Sequence, residues 1–152
     1  MQLTQKETTL LKDLQTAEKL CIEKYSKHSS CAIDPQLKTM FSQISKKEEQ
    51  HLNTLSQIES GTVPQMGGSS SAPVQTTFAA TYGTGENKDK LNDSYLCNDL
   101  LSAEKHTSSL YNTCIFEFTD VNVRNTLNHI QKEEQEHGKA IYDYMSANGM
   151  YG

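Results

Sequence analysis

The chain has 152 residues, a formal net charge of −5 and only 35% hydrophobic residues. That length is enough for one domain with a buried core, and the acidic balance gives no electrostatic case for nucleic acid or an anionic membrane surface. No apolar run approaches a membrane span, and the opening "MQLTQKETTL" has neither the basic start nor the apolar stretch of a signal peptide, so a cytosolic origin is expected.

Four helices are predicted in chain order. "TQKE" from Thr4 to Glu7 has the form of a capping box and opens the first, which is expected to run to about His28. Asp34 before Pro35 suits an N-cap followed by proline at the first helical position, and starts a second helix that ends near Gly61. The third is expected from about Asp89 to Phe118, and the fourth from Asp120 to about Ala147. Between the second and third lies "GTVPQMGGSSSAPVQTTFAATYGTG", which contains Pro64, Pro73, Gly61, Gly67, Gly68, Gly83 and Gly85 and reads as a linker, a composition that is normally mobile. Cys21, Cys31, Cys97 and Cys114 form no Cys-x-x-Cys pair, which argues against a thiolate zinc site and for partly buried free thiols.

The halves repeat at a constant offset of 86 residues: "AEK" at Ala17 matches "AEK" at Ala103, Tyr25 matches Tyr111, Asp34 matches Asp120, and Glu48 and His51 match Glu134 and His137. One helical hairpin has been copied, and since such a unit cannot bury its own apolar face, the two copies are expected to pack together. The expected organisation is one all-α domain over 1–152, a four-helix bundle with a first hairpin at 4–60, a crossover linker at 61–88 and a second hairpin at 89–147. Asp13 with Asp99, and Lys19 with Lys105, also match but lie off the apolar stripes, and read as a solvated face.

The stripes carry the chemistry. Leu37, Phe41, Ile44, Leu55 and Ile58 mark the buried seam of the second helix, and Val123, Leu127, Ile130, Ile141 and Tyr144 that of the fourth. Each has a central gap, filled by Glu48 and His51 in one and by Glu134 and His137 in the other. Glu18 falls within the stripe of the first helix, and Glu104 within that of the third. At a rise of about 1.5 Å per residue, all four glutamates come to one level and point inward, with both histidines a turn away. Four carboxylates cannot stay ionised together in a dry core; they must protonate, pair with cations of the chain or hold metal. The stripes place no Lys or Arg nearby, so metal is the economical answer. An oxygen-rich set with one His per metal suits iron or manganese. The set has the pattern of ferritin-like di-iron and di-manganese bundles, one Glu from each of two helices and Glu-x-x-His from each of the other two. Tyr25 and Tyr111 lie on the same face and resemble tyrosines of bacterioferritins and rubrerythrins that hydrogen-bond a metal-bridging Glu; a core tyrosine with a satisfied hydroxyl is the plainer reading. His28, His106 and His129 have no partner at ligand spacing and are expected to be exposed, as are Tyr82, Tyr95 and Tyr151. Gly138, opposite Leu52 in the repeat, is expected to permit close helix approach beside the site.

The stretch "LLSAEKHTSSLYNTCIFEFTDVNVRNTLNHIQKEEQEHGKAIYDYMSANGMY" resembles the coat F family of endospore-forming bacteria, and the first hairpin, with its "GTVP" exit, is similar to clostridial spore coat proteins. The resemblance implies a ferritin-like fold and a place in the spore coat, deposited from the mother-cell cytoplasm, with other coat proteins or further copies of itself as partners. Carried over from the ferritin-like motif, Glu18 and Glu104 become terminal ligands, Glu48 and Glu134 bridging ones, and His51 and His137 terminal ones, around two divalent ions of iron or manganese. Two functions are implied: a structural coat component whose metal contributes to stability, or a redox metalloenzyme acting on peroxide or dioxygen.

Overall fold

The computed structural model describes residues 1–64 and 74–151; Gly67, Gly68 and Pro73 of the expected linker lie outside the described residues. The described chain forms four helices, α1 (Gln5–Cys31), α2 (Pro35–Glu59), α3 (Lys88–Glu117) and α4 (Val121–Ala147), and no strand. The starts follow from side-chain capping. Thr4 and Glu7 close a capping box at α1, and Asp34 and Asp120 accept from the first turns of α2 and α4, with Pro35 opening α2. The start of α3 is capped by Asn87, whose side chain accepts from the Lys90 N–H, so the helix begins just before the expected Asp89. Helix α1 continues past His28 to Cys31, where Ser29 Oγ donates to the Lys38 carbonyl across the hairpin.

α1 packs on α2, α3 on α4, and α1 on α3, while α2 and α4 touch less closely. The apolar stripes meet in two clusters. One joins Tyr25, Leu37, Phe41, Ile44, Leu96, Leu100, Ile141 and Tyr144. The other joins Leu11, Leu14, Leu55, Ile58, Tyr111, Phe118, Val123 and Leu127. Since α1 runs from the second cluster to the first and α3 from the first to the second, these two helices are antiparallel, as are α2 and α4. The chain leaving α2 must therefore cross the length of the bundle to begin α3. Val63 packs at one end of this crossover, and Val74 and Phe78 at the other.

The described end of the crossover is tied down. Gln36 Nε2 donates to the Ala79 carbonyl and Thr81 Oγ1, the Tyr82 N–H donates to Asn148 Oδ1, and the buried Lys90 ammonium donates to the carbonyls of Gly83 and Gly85. Tyr82, expected at the surface, is buried and donates its hydroxyl to Asp93 at 2.7 Å.

The repeat extends to contacts that letter-matching hides. Glu7 Oε2 accepts from the Thr119 N–H in the α3–α4 turn, and Asp93 Oδ1 accepts from the Ile33 N–H in the α1–α2 turn; the 86-residue offset carries Glu7 onto Asp93 and Ile33 onto Thr119. A carboxylate early in each odd helix thus latches the opposite hairpin's turn. Burial alone would push the Glu7 carboxyl up; the backbone N–H groups of Thr4 and Thr119 prevail and hold it below the usual carboxylate range. Its contribution to stability is therefore present above the unfolded-state value and is lost as pH falls through the lowered folded-state value. In urea denaturation at pH 7, Glu7→Ala is expected to cost about 2 kcal/mol, and its difference from wild type should shrink below about pH 4. Asp93→Ala, which strips acceptors from the Ile33 and Asp34 N–H groups and the Tyr82 hydroxyl, should cost about 3 kcal/mol or more.

Candidate metal centre

The two apolar clusters are separated by one polar layer. Glu18, Glu48 and Glu134 are fully buried, and Glu104, His51 and His137 nearly so. α1 supplies Glu18, α2 supplies Glu48 and His51, α3 supplies Glu104, and α4 supplies Glu134 and His137. All six residues expected at the site are brought together. Their ligand atoms fall into two overlapping groups, Glu18–Glu48–His51–Glu134 and Glu48–Glu104–Glu134–His137, with the atoms of each group lying within 4.8 Å of one another. Glu48 and Glu134 belong to both groups; each of the other residues belongs to one.

His51 Nδ1 and Glu134 Oε1 are hydrogen-bonded at 2.9 Å, but the other atoms converge without satisfying each other. Glu48 Oε1 stands 3.1 Å from Nδ1 of both His51 and His137, yet neither approach has hydrogen-bond directionality. Glu18 Oε2, both oxygens of Glu48, Oε2 of Glu104 and of Glu134, and Nδ1 of His137 are buried with no hydrogen-bond partner. Native interiors leave only a few such atoms orphaned per 100 residues, and these are scattered. Six in one layer, all oxygen or imidazole nitrogen, fit divalent cations that take oxygen and nitrogen ligands.

Burial and the neighbouring carboxylates push Glu18 well above its ordinary value and Glu104 to about 8. Burial also opposes charge on Glu48 and Glu134, but the imidazoles beside Glu48, and the Glu104 carboxyl with both imidazoles beside Glu134, prevail and hold both carboxyls below the usual range. Burial opposes charge on the histidines too, but Glu133 first at His51 and Glu104 first at His137, each joined by Glu134 and Glu48, raise both well above the ordinary imidazole value. Without metal, burial and repulsion thus bias Glu18 and Glu104 toward the protonated form, while Glu48, Glu134 and both imidazoles are biased toward charge.

Hydrogen bonds orient the outer atoms. Tyr25 donates to Glu104 Oε1 and Tyr111 donates to Glu18 Oε1, each at 2.7 Å. The tyrosines therefore engage Glu18 and Glu104, which belong to one group each, and not the shared Glu48 and Glu134 that the resemblance had suggested. The cause is the antiparallel pairing of α1 and α3. Cys21 Sγ meets its own repeat counterpart, Thr107 Oγ1, at 3.4 Å on the pseudo-twofold axis, and one turn on along α1 and back along α3 Tyr25 faces Glu104. His51 Nε2 is hydrogen-bonded to Glu133 Oε1 at 2.9 Å, a contact that fixes the ring with Nδ1 facing the cluster. Glu133 had not been singled out. It sits off the apolar stripe of α4, and its signal was the charge reversal at matched positions, since its counterpart is Lys47 and the two approach at 3.8 Å.

Other expectations need correction. His28 is largely shielded and holds Asp99 at 2.7 Å, together with Lys24 at 3.0 Å, so Asp99 belongs to an ion-pair cluster and not to a purely solvated face. His129 is only partly exposed and lies 3.4 Å from Glu133, while His106 is exposed as expected. Gly138 does not mark a tight approach, because a Cβ there would meet only Leu101 Cδ1, at 3.6 Å. Cys21, Cys97 and Cys114 are buried free thiols, and Cys31 is a free and exposed one.

Residues 92–152 match the Coat F domain. No curated protein and no solved structure matches the chain. The Coat F match spans most of the second hairpin, with Glu104, Glu134 and His137, and supports the resemblance to the spore coat F family. Among the described residues no helix is long and apolar enough to cross a membrane.

The symmetric tyrosine contacts give a direct test. Tyr25→Phe and Tyr111→Phe should each cost about 1–2 kcal/mol in metal-free protein, and by similar amounts, measured by thermal or urea denaturation in the presence of a chelator.

Proposed function

We propose that this protein is a spore coat component built on a ferritin-like bundle, with a dinuclear iron or manganese centre at its middle layer. Glu48 and Glu134 would bridge the two ions; Glu18 with His51, and Glu104 with His137, would each complete one side. The observation that carries this reading is the set of six buried ligand atoms that face one another unpaired, grouped so that two carboxylates are common to both sets. The long crossover and the antiparallel α1–α3 packing support the ferritin-like assignment, and the Coat F match supports the coat. Assembly with other coat proteins or with further copies of the chain belongs to the same proposal, and the exposed Phe116 and Val121 at the α3–α4 turn offer apolar surface for it.

In this role the bound ions contribute to stability. They replace the protons that otherwise neutralise the layer and join all four helices through one set of bonds. The chain's own residues orient the ligands: Tyr25 and Tyr111 hold one oxygen of Glu104 and of Glu18, and Glu133 holds the His51 ring. A redox role toward peroxide or dioxygen is the second reading, favoured by a groove of about 520 Å³ between α3 and α4 whose floor is Glu104 and Glu134. Iron or manganese would supply electron transfer and Lewis acidity there.

Purified protein is expected to carry two iron or manganese ions per chain by mass spectrometry, and Glu48→Ala/Glu134→Ala to carry none. Metal at a hundredfold excess over Kd should stabilise by about 2.7 kcal/mol per site, seen as a rise in Tm that the variant lacks. Because entering ions displace protons from the imidazoles and from Glu18 and Glu104, affinity should fall as pH is lowered. A wild-type chain that stays metal-free after anaerobic loading with ferrous and manganous ions would contradict the proposal.

A further inference from the structure

We propose that the seam between α3 and α4 is the entrance through which small uncharged molecules reach the buried site, and that Ser108 and Gly138 keep it open. The inference rests on the metal-centre reading and adds which face admits a ligand and which residues decide it.

The repeat supplies an internal control. In the first hairpin Ser45 Oγ donates to the Ile22 carbonyl at 3.3 Å, and at the matched place in the second Gln131 Nε2 donates to the Ser108 carbonyl at 3.0 Å. A serine hydroxyl sits one bond beyond Cβ and a glutamine amide nitrogen three bonds beyond it. The same carbonyl position is thus reached by a short arm between α1 and α2 and by a long one between α3 and α4. The second hairpin is wider at the level of the site. Two further differences clear the gap: Ser108 stands where the first hairpin has Ile22, and Gly138 where it has Leu52. The result is the groove of about 520 Å³, lined by Ser108, Gln131, Gln135 and Gly138 and ending on Glu104 and Glu134.

Two other hollows compare poorly. The groove of about 450 Å³ between α1 and α3 touches none of the six site residues. The cavity of about 120 Å³ beside α2 and α4 reaches only His137 and is flanked by Lys47, Glu133 and Glu136. The lining of the α3–α4 groove sets what it admits. Its surface is mostly apolar, with a few hydroxyls and amides, which suits small uncharged molecules, and the exposed Lys105 on its wall disfavours cations. Glu104 is 3% exposed and Glu134 0%, so only species small enough to pass by slight side-chain shifts reach the cluster.

The test loads the full chain anaerobically with ferrous iron and follows binding of nitric oxide, a small uncharged probe, by stopped-flow absorbance. Ser108→Ile/Gly138→Leu, which copies the first hairpin's residues into the groove, is expected to slow binding by about tenfold or more, with iron content and final amplitude unchanged. Gly138→Ala is the arm least able to disturb folding, since its methyl would meet only Leu101 Cδ1 at 3.6 Å; a slowing of roughly twofold is expected, and it decides the matter if the double variant does not fold. Wild-type rates in iron-loaded variants would overturn the entrance while leaving the metal centre standing. A wild-type chain that takes up no iron would overturn the inference as posed, and the metal-content measurement then decides the reading beneath it.

Discussion

The structure depends on how it tolerates four carboxyl groups and two imidazoles in one buried layer. Placing that many ionisable groups away from water is costly unless each charge is paired, and here pairing is incomplete, with six polar atoms left without a partner. A bias of Glu18 and Glu104 toward the protonated form eases the repulsion in the metal-free layer but leaves the geometry unsatisfied. Much of the surrounding structure answers to this layer. It interrupts the apolar stripes of all four helices, divides the core into two clusters, and recruits Tyr25, Tyr111 and Glu133 to hold its outer atoms.

Duplication is what makes the layer possible. A single hairpin contributes one Glu from its first helix and one Glu-x-x-His from its second, half of a centre and half of a core. Packing two copies about a pseudo-twofold axis, with Cys21 against Thr107 on that axis, completes both. The copies then diverge where identity is not required. Lys47 faces Glu133, Ser45 is replaced by Gln131, and Leu52 by Gly138. The first change gives His51 an anchor; the others widen one side of the bundle.

Much of this was legible in the residues. The capping box at Thr4, the Asp34–Pro35 start and the Asp120 cap place three helix starts, because capping is local chemistry. The stripes and the offset of 86 residues bring the six site residues to one level, because helical rise is constant. Contacts between elements were harder to read. A repeat says which residues correspond but not which ones meet, and that depends on how the hairpins dock. Hence Tyr25 is the core tyrosine with a satisfied hydroxyl that the residues suggested, but its partner, Glu104 on the antiparallel α3, was not legible and is not the bridging glutamate of the family likeness. Asp93 and Glu7 are counterparts of unlike letter, and their shared task of latching the opposite turn shows only in three dimensions. His28 and Asp99, distant in sequence, pair for the same reason. Tyr82 was misplaced because a linker composition says nothing about where its residues dock.

The central claim is that two metal ions share Glu48 and Glu134. The most direct measurement is a crystal structure of the metal-loaded protein with anomalous scattering recorded on either side of the iron or manganese edge. Two anomalous peaks are predicted between the helices, both bound by Glu48 and Glu134, one also by Glu18 and His51 Nδ1 and the other by Glu104 and His137 Nδ1. A loaded crystal with no peak in this layer, or with ions only at its surface, would contradict the account.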